Sequence, residues 1–123
     1  MPEAPRALAI LIVEDDEAVY QVISRYLERH GHRVVSAVSA EAALKALEQG
    51  RYDCILLDNG LPGAMGIAAL PEIAAKTPAP IIMMTGYPNE DVVQDSLLLG
   101  AKAFMPKPLD LAELERRILE LVP

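Results

Sequence analysis

The chain has 123 residues, enough for one domain with its own core, and 52% of them are apolar, with no Trp. Its net charge of −7, from 18 acidic and 11 basic residues, argues against nucleic-acid binding by the chain itself and suits a site that gathers a divalent cation. The single cysteine, Cys54, excludes an internal disulfide and fits a reducing cytoplasm; no apolar stretch is long enough to span a bilayer, and residues 1–6 lack a signal-peptide core.

Residues 1–6, with Pro2 and Pro5, read as a frayed end. Residues 7–13 are a near-continuous apolar run, the first strand. Glu14, Asp15, Asp16 and Glu17 end it and open a helix, where acids suit the positive helix end. Val19, Val22, Ile23, Tyr26 and Leu27 recur at helical spacing until Gly31 stops the helix. His30 and His32 flank that glycine, and a protonated histidine suits a helix C-terminus. Residues 33–37 form a short second strand. Ser39 is an N-cap for a helix carrying Ala42, Ala43, Leu44 and Leu47, which Gly50 closes. The third strand, Cys54-Ile55-Leu56-Leu57-Asp58, is apolar without alternation and ends on a carboxylate, with Gly60, Pro62 and Gly63 directly after. Such a run between turn residues reads as a strand buried on both faces. A loop over 60–66 leads to a helix over 67–76, weakened or bent by Pro71. Residues 80–84 are a buried fourth strand ending at Thr85-Gly86. A helix over about 89–99 stops at Gly100, and its core stripe uses Val92, Val93, Ser96 and Leu97, which points Leu98 away from the sheet. Residues 102–105 are the fifth strand, Pro106-Lys107-Pro108 follows, and Asp110 caps a last helix to about 121.

Five strands alternating with five helices imply an α/β fold, a parallel sheet covered on both faces. The chain has no repeat or linker, so one domain over residues 1–123 is expected, with no output domain inside it. Four strand ends then meet at one edge, where open α/β sheets bind ligands. The first offers Glu14 and Asp15 with Asp16 beyond, the third Asp58, the fourth Thr85 and the fifth Lys107. Clustered carboxylates need a cation, and oxygen ligands of this kind suit Mg²⁺. Thr85 supplies a hydroxyl, and Lys107 a compact charge for phosphate. Together these groups describe phosphoryl transfer to Asp58, a reaction run by positioning and charge neutralisation. Taken singly, Asp58 reads as a turn residue and the acidic run as a solvated helix start.

These stretches resemble the receiver domains of two-component response regulators, chemotaxis-regulator-like. The resemblance covers nearly the whole chain and rests on Ile12-Val13-Glu14-Asp15-Asp16-Glu17, Leu57-Asp58 with Pro62 and Gly66, Met84-Thr85-Gly86, and Gly100-Ala101 through Phe104 to Lys107-Pro108. It implies a five-stranded, doubly wound, flavodoxin-like sheet of order 2-1-3-4-5 with five helices. It also implies that Asp58 takes a phosphoryl group, with Mg²⁺, from a histidine kinase or a phosphotransfer protein. Asp15 would be the direct metal ligand with Glu14 acting through water; the shifted pair, Asp15 and Asp16, is the alternative. Asp58 and the Gly60 carbonyl would complete the metal set, and Thr85 and Lys107 would hold phosphoryl oxygens. The Lys107-Pro108 bond is cis in the family. Thr85 and Phe104 would form a switch acting on the face of the fourth helix, fifth strand and fifth helix. Such a domain catalyses only its own phosphorylation and dephosphorylation. It resides in the cytoplasm, with an output domain or downstream protein as its target.

Two departures stand out. Met65 replaces the acid that often precedes the loop glycine, and Phe104 stands where tyrosine is common, so the switch lacks a hydroxyl. With no polar reason to stay outside, Phe104 should turn inward even without phosphate. Leu98 is then the apolar anchor for a partner, or for a second copy in a phosphorylation-dependent dimer. Ala18, Val19 and Val22, near the acids, are expected to contact the phosphodonor. A flavin-binding redox module would want a glycine- and hydroxyl-rich loop after the first strand, where this chain places acids. A pseudo-receiver kept for contacts alone would have lost Asp58, Lys107 or the acid pair, and all are present. The domain could stand alone or derive from a hybrid kinase or a longer regulator.

Overall fold

The computed structural model describes residues 7–60, 66–86 and 90–123. The frayed end at 1–6, the loop positions 61–65 with Pro62 and Met65, and the helix start at Asn89 lie outside the described residues. The elements follow one another as β1 (Ala9–Val13), α1 (Glu17–Arg29), β2 (Arg33–Ala37), α2 (Ala40–Gln49), β3 (Cys54–Asp58), α3 (Gly66–Lys76), β4 (Ile81–Thr85), α4 (Glu90–Leu98), β5 (Ala103–Pro106) and α5 (Leu111–Leu121). The strands form one parallel sheet in the order β2-β1-β3-β4-β5.

The apolar runs explain this arrangement. β3 and β4 are buried at every position, because each face of the sheet needs its own apolar set. Ile10, Ile12, Cys54, Leu56, Ile82 and Met84 point to one side, against Ile23 and Leu27 of α1 and Leu114 and Ile118 of α5. Leu11, Val13, Ile55, Leu57, Ile81 and Met83 point to the other, against Ala43 of α2 and Leu70 and Ile73 of α3. Cys54 is fully buried, which pushes its thiol up to about 12 and leaves it unreactive near neutral pH.

The helix ends are set by side chains and glycines. Asp16, Ser39 and Asp110 each cap a helix, accepting from backbone N–H groups of the first turn. Gly31 and Gly100 take positive φ, +90° and +124°, and a Cβ at Gly100 would also lie 3.1 Å from that of Ala74. α3 runs through Pro71 without interruption. β4 and β5 each lie one residue further along than the apolar pattern suggests, which brings Thr85 into β4. In α4 Ser96 is buried and Leu98 is 83% exposed, as expected. Leu97 is 47% exposed and does not belong to the core stripe. Small Ser96 satisfies its own hydroxyl on Val92 O at 2.7 Å and can lie against the core where a leucine would need more room.

Candidate functional site

The carboxyl edge of the sheet is held by ladder bonds that run one residue past the strands. Glu14 N donates to Ala37 O at 3.0 Å, Asn59 N to Met84 O at 2.9 Å, and Lys107 N to Thr85 O at 2.7 Å. Glu14, Asn59 and Lys107 are thus tied to the sheet although they lie beyond the strand ends. The edge falls at the switch point between β1 and β3, where ligands bind in open α/β sheets.

Lys107 unites the edge. Its Nζ lies 2.5 Å from Glu14 Oε1 and 3.0 Å from Asp58 Oδ1. Glu14 Oε2 accepts the backbone N–H of Asp16 at 3.3 Å. Glu14 and Asp58 are buried, and Asp15 beside them is exposed. One ligand oxygen from each of Glu14, Asp15 and Asp58 lies within 4.8 Å of the others. Thr85, at the end of β4 on the strand beside that of Asp58, is also buried. Gly60 passes against Asp58: a Cβ there would lie 3.4 Å from Asp58 Oδ2. Asp16 is oriented differently, its Oδ1 accepting from Ala18 N at 2.9 Å and Val19 N at 3.3 Å. The Lys107-Pro108 peptide is cis.

Electrostatics mark the site as short of positive charge. Burial, above all, pushes the Glu14 carboxyl from 4.5 to about 7; Lys107 pulls it down, and Asp58 pushes it further up. Burial works against the Lys107 charge, but its hydrogen bonds to Glu14 and Asp58 outweigh it, so its pKa is raised. One ammonium serves two carboxylates: it gains from both, and each receives only a share. Three oxygen donors with this deficit fit a hard divalent cation.

Three further features, beside this cleft or at the opposite edge of the sheet, were not legible in the sequence. Asn59 is buried, and its Oδ1 accepts from Ile67 N at 2.9 Å. His30 Nδ1 and His32 Nε2 meet the two oxygens of Glu115 on α5, at 2.7 and 3.0 Å, while Leu8 N donates to His32 Nδ1. These histidines tie α5 to the α1–β2 turn and do more than sit at a helix end. A cavity of about 300 Å³ lies beside Lys107, lined by Ala18, Val19, Val22, Ile23, Pro108 and Leu109 among others.

The fold and this edge define a doubly wound α/β domain with an acidic cleft beneath a lysine. Comparison with known proteins places it further. A family model for the response regulator receiver domain matches residues 10–119. The chain is 36% identical over 110 residues to the transcriptional regulatory protein AfsQ1 of Streptomyces coelicolor, covering 89% of this chain and 49% of that protein. A response regulator receiver domain protein from Methanospirillum hungatei matches with a TM-score of 0.88 and 32% identity, covering 94% of this chain and 93% of that one. The receiver domain of a sensor histidine kinase from Pseudomonas aeruginosa, solved with a magnesium ion coordinated in its active site cleft, matches with a TM-score of 0.84 and 32% identity, covering 94% and 98%. The chain belongs to the response regulator receiver domain family of two-component signalling. It spans about half the length of AfsQ1 and 30% of a matching cyclic di-GMP phosphodiesterase of Thermotoga maritima. Among the described residues, no helix is long and apolar enough to cross a membrane.

Proposed function

We propose that Asp58 is the phosphoryl acceptor of this receiver domain, with Glu14, Asp15, Asp58 and the Gly60 carbonyl holding Mg²⁺, and Thr85 and Lys107 holding phosphoryl oxygens. The carrying observation is the Lys107 ammonium shared between Glu14 and Asp58, with Asp15 in reach of both carboxylates. When bound, the cation supplies charge neutralisation for the carboxylates and the incoming phosphoryl oxygens. An Asp58 carboxylate oxygen attacks phosphorus, forming an O–P bond as the bond from phosphorus to the donor breaks, and the donor leaves with that electron pair. Lys107 exchanges carboxylate partners for a phosphoryl oxygen, and Thr85 offers its hydroxyl to another. The metal register with Glu14 and Asp15 is supported by Asp16, whose oxygen serves the first turn of α1.

The donor is a histidine kinase or a phosphotransfer protein, and its docking surface is the exposed end of α1, where Val22 is 56% exposed and Val19 lines the apolar cavity beside Lys107. The signal leaves through Thr85 and Phe104. Phe104 is half-buried on the α2–α3 side of the sheet, so a shift of Thr85 gives it room to turn. The α4–β5–α5 face then changes shape for an output domain, a downstream protein or a second copy. The chain acts on no other molecule as an enzyme and works in the cytoplasm. Its coverage of about half of AfsQ1 equally suits a domain of a longer regulator.

Intact mass after exposure to acetyl phosphate tests the reading. The chain should gain one phosphoryl group with Mg²⁺ and none in EDTA, and Asp58→Asn should gain none. An unchanged mass gain in Asp58→Asn would refute the assignment.

A further inference from the structure

Asn59 stands between Asp58 and Gly60 and is only 5% exposed. Its backbone N–H continues the β3–β4 ladder one residue past Asp58, on Met84 O. Its side-chain oxygen accepts from the backbone N–H of Ile67, eight residues on and second in α3. That N–H is among the first four of the helix, which have no partner inside it. A side chain at a strand end thus caps the helix that follows the loop. The amide orientation is fixed because its partner is a backbone donor. An apolar residue would fill a buried position without the cost of burying an amide, so the tie is what this side chain adds. Asn59 is thereby anchored on both sides, to β4 through its backbone and to α3 through its side chain. Gly60, the next residue, lies against Asp58 Oδ2.

We propose that Asn59 is a positioning residue: by tying the end of β3 to the first turn of α3, it fixes the Gly60 turn against the Asp58 carboxylate. It thereby sets the oxygen arrangement offered to a divalent cation. The inference rests on the phosphoacceptor reading of Asp58, and Asn59 acts only through its two neighbours.

Asn59→Leu removes the tie with the same number of side-chain heavy atoms, Asn59→Ala removes it without adding bulk, and Asn59→Asp keeps an acceptor oxygen. Each full-length variant is followed by amide exchange at Ile67 without metal, by titration with Mg²⁺ alone, and by urea unfolding. Asn59→Leu and Asn59→Ala should exchange faster at Ile67 and bind Mg²⁺ about tenfold more weakly, the low end of the effect of removing groups that orient metal ligands. Asn59→Asp should restore protection at Ile67. Mg²⁺ affinity within twofold of wild type in Asn59→Ala would overturn the proposal, whatever the change in unfolding, since a purely structural role would leave it there. An Asn59→Asp variant as unprotected at Ile67 as Asn59→Ala would overturn it too. Wild type that binds Mg²⁺ but gains no phosphoryl mass refutes the phosphoacceptor reading alone; the exchange and Mg²⁺ arms still decide Asn59.

Discussion

Replacing Glu14 by glutamine should make the metal-free protein more stable at pH 8, although it removes half of an ion pair. Glu14 is 2% exposed, and burial with the adjoining Asp58 charge pushes its carboxyl from 4.5 to about 7 against the pull of Lys107. Between those values the folded protein binds a proton that the unfolded chain has released. Stability from this group is fully present below pH 4.5 and is lost as the pH rises through about 7. At roughly 1.4 kcal/mol per pH unit, the loss is on the order of 3 kcal/mol. The amide in Glu14→Gln does not titrate, so the variant's advantage should grow from near zero at pH 4.5 to that order at pH 8. Urea unfolding in EDTA at the two pH values, followed by far-ultraviolet circular dichroism because the chain has no Trp, measures it. Excess Mg²⁺ should narrow the gap at pH 8, because a cation held by the folded wild-type carboxylates stabilises that state. An advantage of equal size at both pH values, or a wild type more stable at pH 8, would refute the reasoning.

Asp15→Asn should weaken Mg²⁺ binding while Asp16→Asn leaves it nearly unchanged, since asparagine can still cap α1; a larger loss in Asp16→Asn would move the acid pair one residue along. Val19→Lys should slow phosphoryl transfer from a cognate kinase but not from acetyl phosphate, and equal slowing of both would contradict docking on α1. Leu98→Lys should abolish phosphorylation-dependent association in sedimentation while melting stays within about a degree or two of wild type, as for an exposed site. If both proteins associate equally, Leu98 is ordinary surface.

The fold was legible because β1, β3 and β4 are apolar runs that end in chemistry, and because Asp16, Ser39 and Asp110 mark helix starts by local hydrogen bonding. Glu14, Asp58, Thr85 and Lys107 were legible because strand ends in a parallel sheet share one edge, so order along the chain becomes proximity. What escaped depends on contacts across the chain. Asn59 before Gly60 reads as a turn, and nothing local connects it with Ile67. Buried His32 has its two ring nitrogens matched by Leu8 N and by Glu115, 83 residues away, and such a pairing has no period. In α4 the helical spacing correctly put Ser96 on the core side and Leu98 outside, but it also put Leu97 inside, where the structure leaves it exposed. Burial of the small Ser96 decided the face.

The edge has a width, and side-chain length follows it. Glu14 leaves β1 and Lys107 leaves β5, three strand spacings apart, or about 14 Å at the usual interval. Asp58 and Thr85 stand on the two strands between them. The outer pair are therefore long side chains and the inner pair short, and Lys107 reaches Glu14 at 2.5 Å directly across the middle. Residue type at this edge is a matter of reach as much as of charge. Glu14→Asp would keep its charge and fall one methylene short, and Lys107→Arg would carry a broad, flat head into a space sized for a point charge. Exchanges that conserve charge here alter the one dimension that the sheet cannot adjust.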